Sequence, residues 1–344
     1  MSKISYHLWG IHKTEKIFLF KIENNNGSYI ELTNYGATLV SIHVPDRANE
    51  LGNVILGFPE LEGYVDDNCY IGSTIGRFAN RIDQAKFVID ETTYNLEDND
   101  NGNTNHGGKS GFNTKIFNFS IEGNVLAFTL LSTDGEGGFP GNLKLKVSYQ
   151  WNEHNELLID YTASSDKKTI ANFTNHAYFN LTGGNENILN HKLTIYSDLY
   201  LELKANYIPT GSIVPAADLS FNQNKIKERI SIINDHISGL NTCYLLDKKD
   251  KGFIVPACVL TDQQSGRILE VFTSYPGILL YTGDYLNSNH RGNSSRLLEP
   301  FDGLCLECQY LPDSPNHPNF PSTILNPKEI YKQSIIFKFS TSIS

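Results

Sequence analysis

The sequence lacks most of the motifs that announce familiar chemistry. No Gly-x-Gly-x-x-Gly fingerprint, no His-Glu-x-x-His pair and no Gly-x-Ser-x-Gly nucleophile elbow occurs in its 344 residues, so nicotinamide, ATP or zinc chemistry has no support. No stretch approaches the ~18 uncharged apolar residues that a membrane-spanning helix needs. The opening MSKISYHLWG has no basic region followed by an apolar run, so neither a signal peptide nor a membrane partner is expected. Five cysteines, an odd number spread along the chain, do not resemble a disulfide framework, and a cytoplasmic location follows. The ten histidines are dispersed without close metal-ligand spacing, so no metal and no other cofactor is expected. Positive charge is also short: 28 Lys and Arg against 38 Asp and Glu leave a net charge of −10, which argues against a nucleic-acid partner.

Helical periodicity is scarce too, and strand character takes its place. IELT from Ile30, ATLVSIHV from Ala37, VLAFTLLS from Val125, LKLKVSYQW from Leu143 and ELLIDYTA from Glu156 are β-branched, aromatic or alternating. HKLTIYS from His191, GFIVPACVL from Gly252, RILEVFTS from Arg267 and SIIFKF from Ser334 continue the series. Turns rich in Asn, Asp and Gly separate them. Short helices are expected only in KIKERISIIN, where Ile226, Ile230 and Ile233 fall at i, i+4 and i+7, and around Leu61 to Val65. No linker, compositional shift or internal repeat divides the chain. Residues 1–344 therefore read as one all-β domain, a large antiparallel β-sandwich with few short helices.

Four stretches carry candidate chemistry. On a strand, NHAYFNL would place His176 and Tyr178 on one face and Phe173, Ala177 and Phe179 on the other. The polar and aromatic face suits a sugar, although a histidine there is equally well a structural one. In GLCLECQY, Glu307 is a lone carboxylate among apolar residues, sharing a face with Cys305 and Gln309. Burial would push its pKa towards the range of a general base, unless it simply pairs with an arginine. Cys305 and Cys308 spell a Cys-x-x-Cys but face opposite ways on a strand, which opposes a bridge or a shared metal. GRFANRI offers Arg77 and Arg81, either of which serves a ligand or an ion pair. NHGG places His106 before a glycine pair suited to a tight bend. DGEGGFPG from Asp134 lacks the Lys-Ser/Thr of a phosphate loop and reads as a turn.

Taken together, GRFANRI, NHGG, STDGEGGFPGNL, NHAYFNL, YIPTG, YPGILLYTGDYL and GLCLECQYLPDSPNHPNFPS make the chain resemble the aldose 1-epimerase (galactose mutarotase) family over nearly its whole length. The resemblance implies a β-sandwich of galactose mutarotase type. It also implies cofactor-free interconversion of the α and β anomers of free monosaccharides such as galactose and glucose, by a monomer or homodimer. By motif match, Glu307 would be the base and His176 the acid, and Arg77 and His106 would contact the sugar. The family's sugar-binding Asp aligns with Asn241, which keeps an acceptor oxygen but loses the charge and gains a donor. Two other readings share the polar, aromatic face: a non-catalytic carbohydrate-binding sandwich, and a glycoside hydrolase or lyase. A hydrolase ordinarily needs two carboxylates.

Overall fold

The structure is a computed structural model that describes residues 2–184, 186–233, 236–246 and 252–342. All nine segments with strand character form strands, and their ladders are antiparallel. The largest sheet has nine strands. In spatial order they are Asn118–Glu122, Val125–Ser132, Leu143–Trp151, Glu156–Ser165, Tyr331–Thr341, Arg267–Thr273, Val255–Thr261, Lys192–Ile195 and Asn222–Lys225. A six-stranded sheet runs Tyr178–Phe179, Leu304–Gln309, Gly277–Tyr281, Asn241–Leu245, Leu199–Leu203 and Pro209–Pro215. A five-stranded sheet takes the residues from Lys3 to Asn53 in simple sequential order.

Alternation explains how these sheets meet. In Leu143–Trp151 the residues Leu143, Leu145, Val147, Tyr149 and Trp151 are buried while Lys144 and Lys146 are exposed. The buried row joins Phe20 and Ile30 from the five-stranded sheet and Leu304 and Leu306 from the six-stranded one in a common apolar core. Burying apolar faces against one another is the sandwich solution for sheets with one wet side. Leu304–Gln309 departs from that rule, since all six of its residues are buried. One face, with Leu304, Leu306 and Cys308, belongs to the core. The other carries Cys305, Glu307 and Gln309, and a second layer of structure covers it.

The short helix Leu61–Val65 falls where one is expected. The other expected helix does not form. Lys225 onward gives only a 3₁₀ turn, Ile226–Glu228, and then the strand Ser231–Ile233, which pairs with His236–Ser238. Ile226 is buried in the core and Ile230 packs against it, and β-branched isoleucines favour extended backbone. Asn234, the last residue of that expected helix, lies outside the described residues. No helix among the described residues is long and apolar enough to cross a membrane.

Candidate active site

The covered face of Leu304–Gln309 is the floor of a cavity of about 360 Å³. Glu307 rises from that strand. His176 comes from the next segment, where the ladder breaks between Thr174–Asn175 and Tyr178–Phe179. The break keeps the alternation the sequence implied: Phe173, Ala177 and Phe179 enter the core, while His176 and Tyr178 turn to the cavity side. His106 reaches the cavity from a tight bend with φ of 52° at His106 and 87° at Gly107. A Cβ on Gly107 would lie 2.1 Å from the Gly76 carbonyl oxygen, so the bend requires glycine there. Asn241, from the strand Asn241–Leu245, closes another part of the wall.

Three of these side chains converge. His176 Nε2 lies 3.6 Å from Glu307 Oε1. The His106 and His176 rings meet edge to face at 5.2 Å, with Tyr70 packed 4.7 Å from the first and 5.8 Å from the second. The Asn80 backbone N–H donates to His106 Nδ1 at 3.3 Å, so Nε2 of the neutral ring carries the proton. Cys305 Sγ sits 3.5 Å from His176 Nδ1. Burial holds that thiol protonated, so it can donate to Nδ1 and leave the ring proton on Nε2, the nitrogen nearest Glu307.

Electrostatics follow from dryness. Glu307 is 1% exposed, and burial raises its pKa to about 8, opposed only by the positive charge of Arg81. Burial lowers His176 to about 4 and His106 well below the ordinary imidazole value, the latter helped by His176 and Arg81. Ion-pair spacing between His176 and Glu307 pulls the other way, but 3.6 Å is too long for a hydrogen bond, and desolvation of both charges prevails. The pair therefore rests neutral, with its one titratable proton on Glu307. Glu307 Oε2 and Asn105 Oδ1 have no hydrogen-bond partner although both are buried. Two acceptors on a cavity wall that lack donors suit a ligand rich in hydroxyls.

Glu307, His176, His106 and Asn241 are thus brought together, and Arg77 is not. Its guanidinium is buried and donates to Ser132 Oγ and to the carbonyls of Ser132, Thr133, Pro140 and Gly141 at 2.8–2.9 Å. A guanidinium so engaged on all three nitrogens, and absent from the cavity wall, is a structural cross-link. Arg81, four residues on, lines the cavity instead, tied through Nε to Asp100 Oδ2 at 2.6 Å. The sequence does not rank the two arginines; the resemblance implies sugar contact for Arg77, and the structure places Arg77 away from this cavity and Arg81 on it. Tyr207 and Tyr281, both inside quoted motifs, also line the cavity and were not singled out.

The dispersed histidines also prove closer than their sequence spacing indicated. Ligating atoms of His106, His176 and Glu307 all lie within 4.8 Å of one another, a spacing a cation accepts. The hydrogen bonding opposes it: a metal on His106 Nε2 would drive the proton to Nδ1, where the Asn80 N–H already points. With Nδ1 so occupied, His106 has an Nε2–H free to donate a hydrogen bond.

The fold is a β-sandwich of the galactose mutarotase type, with His106, His176 and Glu307 gathered beside Arg81 in one cavity wall. The chain belongs to the aldose 1-epimerase family, whose model matches residues 19–338. It is 39% identical over 316 residues to galactose mutarotase from Mus musculus, 91% of each chain. To aldose 1-epimerase from Escherichia coli it is 35% identical over 332 residues, 93% of this chain and 94% of that one. Among solved structures, galactose 1-epimerase from Lactobacillus acidophilus superposes with a TM-score of 0.84 at 27% identity, and an aldose epimerase homologue from C. elegans with 0.88 at 26%. Both cover 100% of each chain.

Because Arg77 braces the turn from Ser132 to Gly141, Arg77→Ala should lower folding stability by about 3 kcal/mol, since it strands several buried acceptors. Chemical denaturation measures that loss. The variant that remains folded should keep a sugar KM within about threefold of the parent, as for a residue that does not touch substrate.

Proposed function

We propose that the protein interconverts the α and β anomers of free aldohexoses such as galactose and glucose, with Glu307 as base and His176 as acid. The observation that carries this reading is the approach of the two groups to 3.6 Å on one cavity wall, where Glu307 is the one carboxylate among the described lining residues. A glycoside hydrolase would need a second. A binding module would have no use for a buried carboxyl group with one oxygen lacking any hydrogen-bond partner. Five free cysteines, four of them buried, suit the reducing cytoplasm.

Ring opening needs a proton removed from the C1 hydroxyl and one delivered to the ring oxygen. Glu307 takes the first and the His176 imidazolium supplies the second, giving the open-chain aldehyde. Rotation about C1–C2 turns the other carbonyl face towards O5, and the same transfers in reverse close the ring as the opposite anomer. Each positioned proton-transfer group is typically worth ~10²–10⁴ in rate, so two suffice without a cofactor. After ring opening Glu307 is protonated and His176 neutral, which is also the resting state of the empty cavity. The site is thus charged as the intermediate requires, and complementarity to the high-energy species is what accelerates a reaction. Arg81 and His106 Nε2–H donate to sugar oxygens, and Asn241 offers both an acceptor and a donor.

Polarimetry on freshly dissolved α-galactose and α-glucose tests the reading, and rates no faster than buffer alone would end it. Glu307→Gln keeps the shape but cannot accept a proton. Its rate should fall below about a tenth of the parent's.

The pH profile is a separate expectation. One proton shared by the pair gives limbs that belong to the pair. The acid limb, where a second proton enters, should lie near the value of about 4 held by His176. The alkaline limb, where the only proton leaves, should lie near the value of about 8 held by Glu307. Unperturbed groups would place the limbs near about 4.3 and 6.5, so kcat/KM measured between pH 7 and 8 distinguishes the cases. Asn241→Asp should change KM or the galactose-to-glucose preference more than it moves either limb, which steady-state rates for both sugars across pH will show.

A further inference from the structure

Arg81 is the cation nearest the reaction in the proposed function, and its environment is unusual on three sides. Nε donates to Asp100 Oδ2 at 2.6 Å. The Tyr207 ring lies 5.1 Å from the guanidinium carbon, and Tyr207 itself sits at φ 61° with its hydroxyl 3.3 Å from that of Tyr285. The two terminal nitrogens make no hydrogen bond to any described residue, and Arg81 is a wall residue of the cavity. Asp100 is firmly placed for its role. It opens a tight turn in which its N–H and carbonyl both pair with Asn103, and Asn103 in turn accepts from the Gln84 N–H. The carboxylate is 23% exposed, so its charge is only partly screened by water.

We propose that Asp100 is a positioning residue for the reaction: by holding Nε of Arg81 against the Tyr207 ring, it turns the two free nitrogens of the guanidinium towards the sugar and tempers the positive charge that Arg81 presents to Glu307. The proposal rests on the acid–base reading above. An exposed ion pair alone would contribute little. Here, however, the pair holds the planar end of a long side chain in one plane, and misplacement of such a group costs affinity and rate.

The sign of the electrostatic effect can be worked out. Glu307 faces Arg81, His176 and His106, together with the Cys305 and Cys243 thiols, which burial keeps protonated. Arg81 faces Asp100, His106 and the Tyr70 and Tyr207 phenols. Removing the Asp100 charge leaves the Arg81 charge unopposed and removes a negative charge from the neighbourhood. Both changes favour ionised Glu307, so the alkaline limb must move to lower pH.

Asp100→Asn retains an acceptor for Nε and removes the charge. Its alkaline limb of kcat/KM should fall by about half a pH unit, with KM within about threefold of the parent. Asp100→Ala also releases the guanidinium, and KM should rise about tenfold. In an Arg81→Lys background, where no Nε is available to hold, Asp100→Ala should add less than about twofold, because residues acting through one another are not additive. An Asp100→Asn limb within about 0.2 units of the parent, or an Asp100→Ala penalty as large in the Arg81→Lys background as in the parent, overturns the proposal. A parent enzyme without mutarotation defeats the acid–base reading itself; an active parent with unresponsive Asp100 variants defeats only this one.

Discussion

Everything in the cavity is arranged around a carboxylate that the fold keeps dry and leaves without a hydrogen bond on one oxygen. Glu307 is raised from 4.5 to about 8 by burial. Below pH 4.5 the folded and unfolded chains are both protonated there and nothing is lost. As pH climbs, the unfolded chain ionises first, so folding stability falls until the folded pKa is reached. At pH 7 the loss is about 3 kcal/mol. That is a large part of the 5–15 kcal/mol typical of a whole domain. The same dryness lowers His176, and so one proton is left for two groups whose task is to pass protons.

The architecture can bear this because the carboxylate stands on an interior, wholly buried strand of the six-stranded sheet. Leu304–Gln309 is flanked by ladders to Tyr178–Phe179 and Gly277–Tyr281, and its rear face is part of the common core. Side chains that must meet within a few ångströms come from Arg81, His106, His176, Asn241 and Glu307, which are far apart in sequence. The strands and the bends between them bring these side chains together. Loops add the remainder. The loop after Leu311 fixes the backbone around Arg81, since the Asp313 N–H donates to the Arg81 carbonyl and Asp313 Oδ1 accepts from the Asp83 N–H.

Much of this was legible from period-2 alternation, because a strand with one wet face writes its orientation into every second residue. That logic found all nine strands it was applied to, and it put His176 and Glu307 on the correct faces. It failed where alternation carries no information. The first hairpin, Lys3–His12 with Glu15–Glu23, is largely exposed along its first strand and was not read as strand. The isoleucines after Lys225 matched a helical period by spacing alone. Arg77 and Arg81 differ only in what surrounds them in space, one facing carbonyls and the other a cavity. The approach of His106 to His176 is likewise a tertiary fact, since a separation of 70 positions in the chain hides it.

The order of strands in the nine-stranded sheet bears on how the protein is made. Tyr331–Thr341 lies between Glu156–Ser165 and Arg267–Thr273 and is paired along both edges. Until residue 341 has left the ribosome, the two halves of this sheet have no middle, and each presents a bare edge to whatever is near. Edges of that kind recruit foreign strands, and pairing across long sequence separations is slow to form. Synthesis therefore leaves a long interval in which most of the chain exists but the sheet cannot close.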